Sequence, residues 1–95
     1  GMIFTSEGVI NLRNEKWKTD FSPLDPNGTS FVDSAYSRAY VRHLFVAGEM
    51  LGALIASEHN IAFYLNLVGQ ARQHIFAGDF REWKEAMVKK LVVRL

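Results

Sequence analysis

Few side chains in this chain of 95 residues could carry out chemistry. There is no cysteine, so thiolate nucleophiles, disulfides and thiolate metal ligands are all excluded. Histidine and aspartate are the first candidates for nucleophilic, acid–base and metal-binding groups, and they are His43, His59, His74, Asp20, Asp25, Asp33 and Asp79. Their spacing matches no Ser–His–Asp order and no paired-carboxylate cleft, and the chain has no glycine-rich phosphate loop. The sequence therefore does not indicate a self-contained catalytic site.

Five short motifs lie between residues 23 and 64. They are Pro23-Leu24-Asp25-Pro26, Tyr36-Ser37-Arg38-Ala39-Tyr40, His43-Leu44, Gly48-Glu49-Met50-Leu51-Gly52 and Glu58-His59-Asn60-Ile61-Ala62-Phe63-Tyr64. In this order and spacing they resemble the C-terminal part of the tRNA-guanine transglycosylase family, the queuine tRNA-ribosyltransferases. Residues 1–11 are similar to the strand pair that precedes the first motif in that family. Because the similarity continues to both ends, we interpret Gly1 and Met2 as internal residues of a longer enzyme, the alternative being an initiator methionine behind a tag remnant.

The resemblance implies a structural zinc site, but most of its ligands are replaced. The family binds zinc through three cysteines spaced C-x-C-x-x-C and a histidine on a later helix. The cysteine positions fall on Gly28, Ser30 and Asp33, and the histidine falls on His59. A closed zinc site needs four sulfur, imidazole or carboxylate ligands, so we predict no bound metal and no cofactor. We expect His59 to be buried and hydrogen-bonded to the loop in place of the metal.

The resemblance also implies a reaction and a partner. In the family an aspartate attacks the ribose carbon that bears guanine, and a 7-deazaguanine base then replaces guanine in the tRNA anticodon. That aspartate belongs to a (β/α)8 barrel, and none of the four aspartates of this chain matches it. Positions on a helix of the homodimer interface match Tyr36, Tyr40, His43 and Glu49. Tyrosine suits such a surface because it combines a large contact area with a hydrogen-bonding tip.

The composition and the residue pattern predict the type of domain and the helices and strands that position these residues. Hydrophobic residues make up 48% and charged residues 22% of the chain, which is typical of one globular domain. The net charge of +1 does not by itself indicate nucleic-acid binding. The pattern predicts an α+β, mainly helical fragment with an N-terminal antiparallel β hairpin at residues 1–12, a loop at 20–34 and helices over 35–95. The resemblance makes this the C-terminal subdomain of a (β/α)8 barrel enzyme, with the catalytic barrel absent.

The helical part has two further features. Residues 49–77 are apolar on nearly every face, which is typical of a helix buried in a larger body. Gly78 suits the end of that helix, and Asp79 is predicted to cap the next one. The last helix carries an apolar stripe that we expect to pack on the barrel of the longer enzyme. The stripe consists of Phe80, Trp83, Met87, Leu91 and Leu95.

Two hypotheses on function follow. The first is the C-terminal part of a tRNA-guanine transglycosylase, a cytoplasmic homodimer that contacts tRNA only through the full-length enzyme and is inactive as this fragment. The alternative is a non-catalytic subunit that keeps the dimer surface and partners a catalytic chain. Neither involves a membrane, because polar residues interrupt every long apolar stretch.

Overall fold

A computed structural model describes all residues, 1–95, as a two-stranded sheet followed by helices. The strands are β1 (Met2–Thr5) and β2 (Gly8–Asn11), a 3-10 helix spans Glu15–Trp17, and the α-helices are α1 (Val32–Ala35), α2 (Arg38–Val46), α3 (Met50–Ala77) and α4 (Phe80–Leu91). The predicted mixture of an N-terminal antiparallel hairpin and a mainly helical remainder is confirmed. No helix combines the length and the apolar character needed to cross a bilayer.

The hairpin forms one wall of the core. β1 and β2 pair antiparallel with Ile3 opposite Ile10. Successive side chains of a strand point to opposite faces, so both isoleucines are fully buried while Met2 and Phe4 face outward. Residues of α2 and the first half of α3 complete the cluster, which includes Ile3, Ile10, Leu12, Trp17, Leu24, Val32, Val41, Leu44, Phe45, Ile55 and Ala56.

Both outer edges of the hairpin are covered by groups from distant parts of the chain. On β1, the side-chain amide of Asn60 in α3 accepts the Phe4 N–H at 3.1 Å and donates to the Met2 carbonyl at 3.2 Å. On β2, the N–H and C=O of Val9 bond to the backbone of residues 93 and 95 at 2.7 and 2.9 Å. Free strand edges attract other chains, and these contacts satisfy them within the molecule.

The first two motifs are packed against each other by Arg38. Its Nε donates to the Leu24 carbonyl at 3.3 Å, and its Nη1 lies 3.5 Å from the carboxylate of Asp20. The guanidinium also stacks 5.1 Å from the centre of the Trp17 ring. The hydroxyl of Ser22 donates to Asp20, and this hydrogen bond is the main reason that the pKa of Asp20 is lowered. The loop is therefore fastened to the start of α2.

The loop and helix boundaries differ from the prediction at two points. α1 begins inside the predicted loop at 20–34, because Val32 is buried in the core and Asp33 is held by a contact to α3. Asp79 does not cap α4 with its side chain; its carboxylate instead lies 2.7 Å from Nδ1 of His74, whose ring stacks on Trp83. The prediction for Gly78 is confirmed, since it ends α3 with φ at 82°.

The stripe on the last helix is half-buried along α3. Side chains of the stripe line a groove shared with α3, including Phe80, Trp83, Met87 and Leu91. Leu95 lies beyond the end of α4 and pairs with β2. α4 therefore packs beside α3 with its stripe half-buried, and the packing of the stripe on a barrel stays a prediction. α4 packs there because α3 is long enough to offer it an apolar partner within the chain.

Candidate functional site

His59 occupies the centre of the junction between the loop, the hairpin and α3. It lies in the first half of α3 and is only 1% exposed. Its Nδ1 contacts the carboxylate Oδ1 of Asp33, which is itself 2% exposed. Its Nε2 lies 2.5 Å from the carbonyl oxygen of Phe4 in β1. The predicted hydrogen bond between a buried histidine and the loop is therefore present, and the ring also holds the hairpin.

The partners of His59 decide which atoms remain free for chemistry. The Phe4 carbonyl can only accept a hydrogen bond, so Nε2 of His59 donates to it, while Nδ1 faces the Asp33 carboxyl group. Both ring nitrogens are therefore engaged within the chain, and neither is directed at a metal ion or at the hydroxyl of a serine nucleophile. His59 is thus suited to join Asp33 and Phe4 and not to act as a ligand or a general base.

The three positions that match zinc cysteines form a compact polar turn. Asp33 accepts the N–H of Ser30 through Oδ2 at 3.0 Å, while its other oxygen faces His59. Gly28 lies so close to Asp33 that a Cβ on Gly28 would overlap the Asp33 carboxylate. The carboxylate therefore occupies the space that a side chain at position 28 would need. These residues do not fit a tetrahedral zinc ion, because one of them lacks a side chain and the imidazole is already engaged.

The aspartates of the chain are occupied in structural contacts. Asp25 is 2% exposed and accepts the backbone N–H groups of Asn27 at 3.1 Å and Ser6 at 3.4 Å, which is the turn-acceptor role. Asp20 pairs with Ser22 and Arg38, and the remaining two pair with histidines. Beside the loop, a polar cleft of about 200 Å³ extends towards α4. Its wall includes His59, whose nitrogens are both engaged.

A second candidate site is the aromatic face at the start of α2. The rings of Tyr36 and Tyr40 stack with centroids 5.7 Å apart, and the Tyr40 side chain is left 43% exposed. Ser37 caps α2 by accepting the N–H of Tyr40 at 3.1 Å. Tyr36 precedes that cap in an extended conformation and packs on the core, so the helix begins after it. His43 and Glu49 are both exposed beyond Tyr40, with Glu49 directly before α3.

Asn60 and Arg38 were not assigned a role from the sequence, although both lie in motifs that carried the resemblance. Asn60 covers the edge of β1 and Arg38 fastens the loop to α2. Hydrophobic spacing could not reveal these roles, because each partner is more than ten residues away. Glu58 also contacts Ser30 at 3.5 Å. The three consecutive residues Glu58-His59-Asn60 therefore connect α3 to the loop and to the hairpin.

Comparison with known proteins agrees with the motifs. The family model described as queuine tRNA-ribosyltransferase matches residues 1–92. The chain belongs to this family. It is 40% identical over 95 residues to the queuine tRNA-ribosyltransferase of Aquifex aeolicus (strain VF5). This alignment covers 100% of the chain and 25% of that relative. It is 38% identical over 91 residues to the queuine tRNA-ribosyltransferase of Solibacter usitatus (strain Ellin6076), covering 96% of the chain and 24% of the relative.

A third relative, the queuine tRNA-ribosyltransferase of Francisella tularensis subsp. novicida (strain U112), is 42% identical over 85 residues, or 90% of the chain and 23% of the relative. The chain thus spans about a quarter of the length of these curated relatives. The resemblance inferred from the five motifs is confirmed at the level of the family.

A glycine substitution tests the packing of the loop that contains Gly28 and Asp33. We expect Gly28→Ala to lower the free energy of unfolding by about 1–3 kcal/mol, because the new methyl group meets a carboxylate that His59 and Ser30 hold in place. Gly69→Ala is the control: Gly69 lies in the interior of α3 with no other group within 4 Å of the added Cβ, so it should gain about 0.5–1 kcal/mol. Urea denaturation measures both. Equal stability of Gly28→Ala and the unsubstituted chain would contradict the placement of Asp33.

Proposed function

We propose that this chain is the C-terminal part of a tRNA-guanine transglycosylase that exchanges guanine for a 7-deazaguanine base in tRNA anticodons. The observation that carries the proposal is the 40% identity to a queuine tRNA-ribosyltransferase along the whole chain. The relatives are named queuine tRNA-ribosyltransferases, which supports a transfer reaction on tRNA. The share of their length that is matched leaves room for a catalytic part of about three times this size. The proposed location is the cytoplasm.

The proposed chemistry takes its nucleophile from outside these residues. An aspartate attacks the ribose carbon, the bond from that carbon to guanine breaks, and the 7-deazaguanine base then displaces the aspartate from the same carbon. The two most buried aspartates here, Asp25 and Asp33, are enclosed by backbone N–H groups and by His59. A carboxylate in such surroundings cannot reach a ribose. We therefore assign this part a supporting role in subunit assembly and in the placement of tRNA.

The proposed assembly is a homodimer through the aromatic face of α2. Tyr36 packs on the core and so fixes the ring of Tyr40, which is presented to solvent in a rigid orientation. Rigid aromatic side chains with polar tips give large contact area at little cost in conformational entropy. His43 and Glu49 lie exposed beyond them and supply polar contacts at the rim. No cofactor is proposed, and the zinc of the family is replaced by the contacts between His59 and Asp33.

The alternative is a non-catalytic subunit that partners a separate catalytic chain. It is favoured by the core of 11 buried residues, which closes on itself within these 95 residues. A chain with its own core is able to fold without a covalently attached catalytic part. The two alternatives share the surface around Tyr40 and differ in whether the catalytic part lies on the same polypeptide.

We predict that the isolated chain shows no exchange of labelled guanine into a cognate tRNA, since its aspartates are committed to structural contacts. The measurement is incorporation of label compared with a protein-free control and with a full-length queuine tRNA-ribosyltransferase as the positive control. Incorporation above background that grows with the amount of chain would refute the supporting role. Stimulation of a catalytic chain by the added chain would favour the separate-subunit alternative.

A further inference from the structure

Four basic side chains gather around the short 3-10 helix that follows β2. Three of them lie within six consecutive residues, and the fourth is attached to the same segment by a hydrogen bond from its Nε to the Asn14 carbonyl at 3.2 Å. Three of the four are exposed, and the fourth is half-buried. We call these residues the basic patch, and they are Arg13, Lys16, Lys18 and Arg42. The patch joins the segment after β2 to α2.

The basic patch has few acidic neighbours. None of its four side chains forms an ion pair within the chain. Glu15 is the one acidic residue between positions 13 and 18, and the nearby carboxylate of Asp20 is occupied by Arg38 and Ser22. Basic residues thus outnumber unoccupied acidic ones here by four to one, whereas the whole chain has 11 basic and 10 acidic residues. A local excess of positive charge of this kind attracts anionic partners.

The cations of the basic patch are held in place by packing and not by carboxylates. The Arg13 guanidinium lies 5.5 Å from the centre of the Phe45 ring, and the Lys16 ammonium lies 4.8 Å from the centre of the Trp17 ring. Both rings belong to the buried core, so the fold fixes these positions. Arg42 uses only Nε for its bond to the backbone, which leaves both terminal nitrogens for another acceptor. A guanidinium with free terminal nitrogens is suited to bind phosphate oxygens.

We propose that the basic patch binds the phosphate backbone of the tRNA, an inference that rests on the proposed function. Fixed cations with free donors and without carboxylate partners suit phosphate groups, which repeat along a nucleic acid at regular intervals. A protein partner would have to place a separate carboxylate opposite each cation. Contacts to the phosphate backbone position a nucleic acid without reading its bases. The basic patch would therefore orient the tRNA and leave the recognition of the base to the catalytic part.

The salt dependence of tRNA binding by this chain tests the proposal. Fluorescence anisotropy of a labelled tRNA that carries guanine in its anticodon gives the affinity at several concentrations of KCl. The triple variant Arg13→Gln, Lys18→Gln, Arg42→Gln should flatten the slope of log affinity against log salt by about 3, which is roughly one for each lost phosphate contact. Lys16 is left unchanged because it also donates to the Leu95 carbonyl. Arg13→Lys keeps the charge and should leave the slope unchanged.

α4 supplies a control that removes the same charge. The triple variant Arg81→Gln, Lys84→Gln, Lys89→Gln takes three exposed cations from a helix surface that also carries Glu85. This control should change the slope by less than about 1, because none of its residues belongs to the basic patch. An equal change of slope in both triple variants would mean that the tRNA responds only to net charge, and it would overturn the proposal. A slope near zero for the unsubstituted chain would overturn it as well.

Kinetics of a chimera that joins this chain to the catalytic part of a relative separate tRNA from the other candidate partner, an acidic surface of that catalytic part. If the basic patch binds tRNA, its triple variant should raise the KM for tRNA about tenfold and leave kcat unchanged. A lower kcat and a lower melting temperature at an unchanged KM would assign the patch to docking of the catalytic part and overturn the proposal. A chimera that is inactive without any substitution would refute the proposed function instead, while the slope measured on this chain still tests the patch.

Discussion

Replacing His59 by alanine should lower the free energy of unfolding by about 1–3 kcal/mol, which is the cost of leaving buried hydrogen-bonding groups without their partner. The imidazole connects the Asp33 carboxylate to the Phe4 carbonyl, and both His59 and Asp33 are almost fully buried. Without the ring, the Asp33 carboxyl group loses this partner at a position that is only 2% exposed. Chemical denaturation followed by tryptophan fluorescence measures the loss of stability. The variant should have the same helical content as the unsubstituted chain before denaturant is added.

The chain offers a matched control for this substitution. His74 pairs with Asp79 in the same chemical arrangement, but their side chains are 33% and 54% exposed. An exposed pair contributes little because water screens it, so His74→Ala should cost about 1 kcal/mol or less. Equal losses in the two variants would contradict the role of burial at His59. A small loss in both would mean that the loop is held by other contacts.

Rebuilding the cysteines should convert the loop into a zinc site. We expect the triple variant Gly28→Cys, Ser30→Cys, Asp33→Cys to bind about one zinc ion per chain, with a gain on the order of 10 kcal/mol in apparent stability that a chelator removes. Removing Asp33 has two effects in this variant. It frees Nδ1 of His59, and it empties the space into which a side chain at position 28 must fit.

The controls separate these effects. Gly28→Cys alone should bind no zinc and should destabilise the chain, because Asp33 still occupies the required space. Elemental analysis after dialysis gives the metal content of each protein. Retention of about one zinc per chain by the unsubstituted protein would show that the contacts between His59 and Asp33 do not replace the metal.

Local signals in the sequence were sufficient for the hairpin and for the end of one helix. The hairpin at residues 1–12 was predicted because its two strands are neighbours in the sequence and need only a short turn between them. Gly78 marks the end of α3 through contacts within a few residues. The predicted bond between His59 and the loop was also found, although it required the family resemblance to bring the two segments together.

The parts that could not be predicted depend on contacts between distant segments. Asp79 has the sequence signature of a helix cap, but its carboxylate pairs with a histidine of the preceding helix. Leu95 follows the helical spacing of α4, yet the open edge of β2 pairs with its backbone and ends the helix earlier. α1 forms because Val32 and Asp33 are fixed by the core and by His59. Local preference is weak compared with such tertiary contacts.

The central claim is that these residues serve as the C-terminal part of a tRNA-guanine transglycosylase, and a chimeric enzyme tests it most directly. The corresponding 25% of the Aquifex aeolicus queuine tRNA-ribosyltransferase would be exchanged for this chain, and the rate of labelled guanine incorporation into tRNA measured beside the parent and beside the parent truncated at the same point. The account predicts incorporation by the chimera within about tenfold of the parent and none by the truncated enzyme, since a difference of 1.4 kcal/mol in the barrier corresponds to that factor. A chimera that folds and assembles like the parent but incorporates no guanine would contradict it.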